Sequence, residues 1–351
     1  MNFERKTVGV GMSEMLIKEI RFRNSEDLTC RVLPPDVVNA EGMLSREERS
    51  LLYLLARDHY RGDGVLIDGG SFLGSSTVSL AHGIRDNTHS QNDMSVFRCK
   101  PIQAFEIGFL PRLKNGKEKF KEWGAFKYRF GDSFIPRLEQ NIENYSDLID
   151  LHVGDLVDFK FPATPIEICF IDVGKSVQLD EYVNKNFLAN LIPGKSILVN
   201  QDFYFDRLPW IKVTMGYLKD YFEWIGQVRT SVVYKNTKKI QQEVLLYNPF
   251  RDGTLDECIA YHDSHVFPDD QSPITLSRLA LSRALLIALK STKELALADL
   301  KDFERIHANV LSDGKHGDDA RMRYERTVRQ ISNGMILKQW GYYPSSEFQP
   351  A

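Results

Sequence analysis

The stretch Leu66-Ile67-Asp68-Gly69-Gly70-Ser71-Phe72-Leu73-Gly74-Ser75-Ser76-Thr77 decides the fold. Val65 to Asp68 form a short apolar run closed by an acid, which reads as a buried strand. Gly69 to Gly74 turn the chain, and Ser75 to Ile84 carry a helix. Glycine permits positive φ and the close approach of another group. The amides that open the helix attract a carboxylate or phosphate, and Ser75, Ser76 and Thr77 add hydroxyls beside them.

Outward from this unit the alternation repeats. Upstream, Ser45-Arg46-Glu47-Glu48 is a capping box for a helix carrying Leu51, Leu52, Leu54 and Leu55, which ends near Gly62 to Gly64. Downstream, Ile102 to Glu106 is a second strand. Arg112 to Trp123 is charged and helical in pattern, and Ile135 to Tyr145 is another helix. Ile149 to Val153, closed by Gly154-Asp155, is a third strand, and Ile166 to Asp172 a fourth. A helix from Val177 to Leu191 stops at Pro193-Gly194. Ser196 to Val199 is a fifth strand, followed by Asn200-Gln201-Asp202. Trp210 to Phe222 is helical, and Trp224 to Tyr234 with Gln242 to Tyr247 form a closing antiparallel pair. This order predicts an α/β fold with a Rossmann-like, doubly wound, mostly parallel sheet and helices on both faces. In such sheets the ligand lies outside the carboxyl ends of the strands. Asp68, Glu106, Asp155, Asp172 and Asp202 fall at those ends or just past them.

Three segments are expected: an N-terminal arm over 1–44, a ligand-binding core over 45–248 and a helical extension over 249–351. In the extension, 251–269 reads as loop, Ser272 to Val310 as one helix and Asp318 to Lys338 as another. Its apolar stripes suit a packing or homodimer element, with a substrate lid as the sharper reading. Lys plus Arg number 45 and Asp plus Glu 48, a net charge of -3. That balance points away from nucleic acid or an anionic membrane as the main partner. Cys30, Cys99, Cys169 and Cys258 are scattered singly. They suggest neither a zinc site nor a disulfide framework, and fit reduced thiols in a cytoplasmic protein. No run of about 18 apolar residues predicts a membrane span, and the first residues do not read as a signal peptide.

The glycine spacing separates two classes of ligand. A dinucleotide site calls for G-x-G-x-x-G, whereas the glycines here are Gly69, Gly70 and Gly74, directly after Asp68. An anion at that strand end repels a pyrophosphate and suits the cationic amino group of S-adenosylmethionine (SAM). Glu106 is placed to accept from ribose hydroxyls, and Asp155 from an adenine amino group.

The turn, Glu106, Gly154-Asp155 and Phe170-Ile171-Asp172-Val173-Gly174-Lys175 together resemble class I SAM-dependent methyltransferases. The run from Phe187 to Phe203, with Pro193-Gly194 and Gln201-Asp202-Phe203, is similar to the macrocin-O-methyltransferase-type branch. The resemblance spans about Ser45 to Tyr247. It implies a SAM site formed by Asp68, Gly69, Gly70, Ser71, Gly74, Ser75, Ser76, Thr77, Glu106, Asp155 and Asp172. It also implies, for that branch, a divalent metal on strand-end acids that activates a substrate hydroxyl. Asp172 matches the first of those acids. Gly174 stands where a second is expected, and Gln201-Asp202-Phe203 replaces Asp-Asp-Tyr. With two oxygen ligands changed, no divalent metal is expected. Asp172 is then the first candidate for the general base, followed by Asp202, His152 and Lys175. His262 and His265 lie in a polar loop and are not read as a metal pair. Phe203, Tyr204, Phe205 and Trp210 are read as core or as the wall of an acceptor pocket. The expected activity is methyl transfer from SAM to an oxygen, with nitrogen second, of a small-molecule acceptor. The alternatives are a non-catalytic SAM-binding homologue and an NAD(P)-dependent oxidoreductase. The latter lacks both its glycine spacing and a Tyr-x-x-x-Lys couple here.

Overall fold

The computed structural model describes residues 33–88, 99–109, 120–123, 126–129, 131–264, 272–312 and 317–334. The chain begins with α1 (Pro35–Asn39), α2 (Arg46–Leu54), β1 (Val65–Gly69), α3 (Ser75–Arg85) and β2 (Ile102–Glu106). A small hairpin follows, β3 (Phe120–Trp123) and β4 (Phe126–Arg129), then α4 (Ile135–Ile142), β5 (Ile149–Val153), β6 (Ile166–Ile171) and α5 (Val177–Asn186). Next come β7 (Ile197–Asn200), α6 (Pro209–Tyr217), β8 (Phe222–Val228) and β9 (Ser231–Asn236). The remainder is helical: α7 (Gln242–Leu246), α8 (Pro249–Asp252), α9 (Leu255–Asp263), α10 (Pro273–Lys290), α11 (Lys293–Ile306) and α12 (Gly317–Ser332).

The main sheet has seven strands in the order β5-β2-β1-β6-β7-β9-β8. β5, β2, β1, β6 and β7 pair in parallel, and β9 and β8 close the edge antiparallel. This is the Rossmann-like, mostly parallel architecture expected from the alternation. Strand order reverses between β1 and β6, so the crevice of a doubly wound sheet opens at their carboxyl ends.

Period-2 alternation sends neighbouring strand residues to opposite faces. Leu66, Ile102, Ala104, Ile168, Phe170 and Val199 pack with α1 to α4 on one face. Val65, Ile67, Phe105, Cys169, Ile171 and Leu198 pack with α5 and α6 on the other. The capping box is formed in full: Glu48 N donates to Ser45 Oγ (3.2 Å) and Ser45 N to Glu48 Oε2 (3.0 Å). Phe250, Cys258 and Leu286, from the helices beyond β9, join the second core, and those helices build a third around Leu285, Leu300 and Ile331. Among the described residues no helix is long and apolar enough to cross a membrane.

Several local expectations are corrected. The closing pair is not Trp224–Tyr234 against Gln242–Tyr247. The first of those stretches folds on itself as β8-β9, because Arg229 takes a positive φ of 56° and permits a two-residue turn. Gln242–Leu246 is a helix. The supposed loop over 251–269 holds α8 and α9. Asn248 caps α8 ahead of Pro249, and Thr254 with Glu257 forms a second capping box. The single helix over 272–310 breaks at Ser291-Thr292, where Thr292 caps α11 by accepting from Leu295 N (3.2 Å). Phe120–Trp123 is a strand rather than the end of a helix. Residues 1–32 with Cys30, residues 110–119, His265 and residues 335–338 lie outside the described ones.

Candidate active site

Asp68 lies fully buried next to the last residue of β1. Its Oδ2 accepts from Ser71 Oγ (3.0 Å) and from Thr77 Oγ1, while Oδ1 is buried without a partner. Burial pushes the Asp68 carboxyl up, and the nearby Thr77, Ser76 and Ser71 hydroxyls oppose the rise. One oxygen of the acid therefore ties the turn to α3 from below, and the other is the buried acceptor left over. The turn takes positive φ at Gly70 (102°), at Phe72 (47°) and at Gly74 (98°). Gly69 and Gly70 serve packing: a Cβ on Gly70 meets Asp172 O at 3.1 Å, and one on Gly69 meets Val173 Cγ2 at 3.3 Å. Gly74, the residue before α3, offers no side chain to cap it, so the first helical amides keep the partial positive charge of a helix start. Ser75 is covered by the backbone of Gly42, where a Cβ would stand 2.2 Å from its Oγ.

Glu106 ends β2, next to β1 and on the sheet face of Asp68. Its Oε2 accepts from Phe72 N (2.6 Å) and its Oε1 from Gly108 N (3.1 Å). Burial raises its carboxyl, and the nearby Asp68 adds to the rise. Asp155 follows β5, which lies beside β2. Gly154 N donates to Glu106 O (2.9 Å), and Asp155 caps the short helix after it by accepting from Val157 N (3.2 Å). The structure thus gathers Asp68, Glu106 and Asp155 along one edge, beside the glycine turn.

Asp172 lies across the switch point, its N–H donating to Gly69 O (2.7 Å). Lys175 Nζ stands between Asp172 Oδ1 and Asp202 Oδ2 and pairs with both. Gln201, turned so that its amide nitrogen meets the acids, donates to Asp202 Oδ1 (2.9 Å) and Asp172 Oδ1 (3.2 Å) and accepts from Thr230 Oγ1 (3.3 Å). Glu48 approaches from α2: Ser231 Oγ donates to its Oε1 (2.8 Å), and burial raises its carboxyl, with Asp202 adding to the rise. Burial raises Asp172 as well; the Lys175 charge opposes this and Asp202 reinforces it. The centre is therefore a group of acids organised by one ammonium.

A divalent metal does not fit this donor set. The ammonium holds the position between the two aspartates, and among the described residues no group of three or more His, Cys, Asp or Glu side chains is disposed to hold a metal. An acid at position 174 would also be misdirected, because a Cβ there meets Ile211 Cδ1 at 3.2 Å, on the apolar side.

His152 is not brought to Asp172 and Asp202. It lies on β5, separated from β6 by β2 and β1. Its ring stacks on Phe105 (4.7 Å), and its Nε2 meets Gln103 Oε1 (2.9 Å), on the sheet face opposite Asp68 and Glu106. Burial lowers its proton affinity. His262 is buried between Asp263 and Ser282 (2.8 and 3.3 Å). Phe203, Tyr204 and Trp210 belong to the core, and Trp210 Nε1 donates to Gly174 O (2.8 Å). The sequence reading missed Glu48 beyond its capping role, and also Thr230 and the bridging position of Lys175. Only the capping box gave any signal for these.

No protein-family model matches this sequence, and no curated protein does. Among solved structures the chain is similar to the O-methyltransferase from Bacillus cereus in complex with SAH, with 16% identity and a TM-score of 0.34 over 54% of this chain and 76% of that one. It is likewise similar to a candidate O-methyltransferase from Klebsiella pneumoniae, with 12% identity and a TM-score of 0.34 over 54% of this chain and 74% of that one. At these scores the likeness adds no weight, and the fold stands on strand order and register alone.

Proposed function

We propose that this protein is a SAM-dependent methyltransferase acting on an oxygen, with nitrogen second, of a small metabolite. The observation that carries the reading is the pair Asp68 and Glu106 on neighbouring strand ends, flanking an uncapped helix start with one buried carboxylate oxygen unpartnered. That set fits an amino acid joined to a nucleoside. The helix start suits a carboxylate, Asp68 Oδ1 an ammonium, and Glu106 a ribose diol.

When bound, SAM supplies a methyl group already activated by its sulfonium charge. The chain's own task is then alignment and proton removal. Asp172, one strand across the switch point, receives the acceptor proton. Its burial raises its affinity for that proton, and the Lys175 ammonium beside it opposes that rise. Gln201 and Asp202 fix the orientation of the pair. Calorimetric titration with S-adenosylhomocysteine tests the reading. A single-site isotherm is expected, and absence of heat at millimolar ligand overturns it.

A further inference from the structure

Beside the acids, the loop after β7 meets the C-terminal helices through a concentration of arginines. Asp206, with no exposed surface, accepts from Arg323 Nη1 (3.2 Å) and Arg326 Nη2 (2.8 Å), and Arg323 Nε donates to Asp319 Oδ2 (2.8 Å). Arg207 and Arg278 lie within electrostatic reach of the same group. Arg207, Arg278, Arg323 and Arg326 thus gather around Asp206. Arg229, on the hairpin turn and within reach of Arg278, is itself paired with Glu47.

Arg278 stands apart. It is half-buried on α10, its Nε is buried without a partner, and among the described residues it makes no hydrogen bond or ion pair. A partly desolvated guanidinium beside like charges is unfavourable unless something neutralises it. Burial depresses its proton affinity first and Arg323 next, with Asp206 and Asp319 opposing. A planar guanidinium without a partner, beside the Arg323 and Arg326 guanidiniums, matches a phosphate, sulfate or carboxylate group.

The cluster is joined to the candidate active site through the loop after β7. Asp202 and Asp206 lie on one loop, and the buried Lys212 ammonium is within electrostatic reach of both. Thr275, one turn before Arg278, accepts from Gln227 Nε2 (3.2 Å) on the hairpin whose Thr230 holds Gln201. We propose that Arg278 heads an oxyanion site that anchors a phosphate, sulfate or carboxylate group of the methyl acceptor. As a substrate assignment this rests on the methyltransferase reading, whereas the anion site itself does not.

The test is thermal unfolding of the full chain, titrated with inorganic phosphate and separately with acetate at constant ionic strength. Wild type shows a saturable rise in Tm. A response to phosphate alone assigns a phosphoryl-type group, and a response to acetate alone a carboxylate. Arg278→Met raises Tm in chloride, because an unpaired cation is removed, and weakens the anion response at least about tenfold. Arg278→Lys keeps the charge, loses the fork and falls between the two. Arg305→Met, which breaks only an exposed pair with Asp302, leaves the response unchanged. No saturable response in wild type, an equal response in Arg278→Met, or a lower Tm for that variant in chloride overturns the proposal. Calorimetry with S-adenosylhomocysteine on both proteins separates the two readings. If wild type fails to bind it while the anion response persists, the methyltransferase reading falls and the anion site stands.

Discussion

Phe72 is a bulky residue at φ 47°, a conformation that costs free energy and persists only where neighbours impose it. Here Glu106 accepts its N–H, and its ring packs edge-on against Phe134 at 5.0 Å. Glu106 therefore shapes the turn as well as standing where a ribose is proposed to bind. Glu106→Gln removes the charge and turns an amide N–H toward a backbone N–H. It is expected to weaken S-adenosylhomocysteine binding at least about tenfold by calorimetry. Lys175 sets the charge of the other half of the site. In Lys175→Met, Asp172 and Asp202 face each other with no cation between them. The proton affinity of Asp172 in the folded state, already raised by burial, then climbs further above its unfolded value. The folded state of the variant binds more protons than the unfolded state, so its stability rises as pH falls. The expected loss at pH 8 is about 1–3 kcal/mol, moderated because Lys175 is half exposed. The gap from wild type narrows toward pH 5, and thermal unfolding at both pH values measures it. A gap independent of pH would refute the bridging role.

At the scale of elements, α6 does two jobs. On one side Trp210 holds the Gly174 carbonyl beside Asp172. On the other, α9 crosses α6 at Gly216, where a Cβ would stand 1.9 Å from Tyr261 O. No side chain fits there without moving one helix. Gly216→Ala is expected to destabilise by about 1–3 kcal/mol in urea unfolding, despite the better helix propensity of alanine. An unchanged midpoint would show that the two helices are not in contact in solution.

For the whole molecule, the switch point gathers the candidate site, and the C-terminal helices complete one of the cores that support it. Phe250 packs on Trp210 at 5.9 Å, and Cys258 and Leu286 are buried in the same cluster. A chain ended after Asn248 exposes this surface. It is expected to lose more than about 10 °C in Tm or to unfold without cooperativity. Differential scanning calorimetry of the two lengths checks this, and equal Tm values would mean the helices only decorate the sheet.

Local chemistry settled much of this in advance. Apolar runs closed by acids, glycines at the first turn and the Ser45–Glu48 box act within a few residues, so β1, β2, β5, β6, β7 and the start of α2 were legible in the sequence. The same kind of local signal lies in Thr254-x-x-Glu257, the box that caps α9. What no window could show is which side chains converge from distant elements. Lys175 reaches both aspartates, Glu48 turns toward Ser231, Arg278 is left unpaired, and His152 sits on the wrong face, only because parallel pairing and helix packing bring together residues scores of positions apart. Electrostatics and burial depend on those distances through space, and the chain acquires them only on folding.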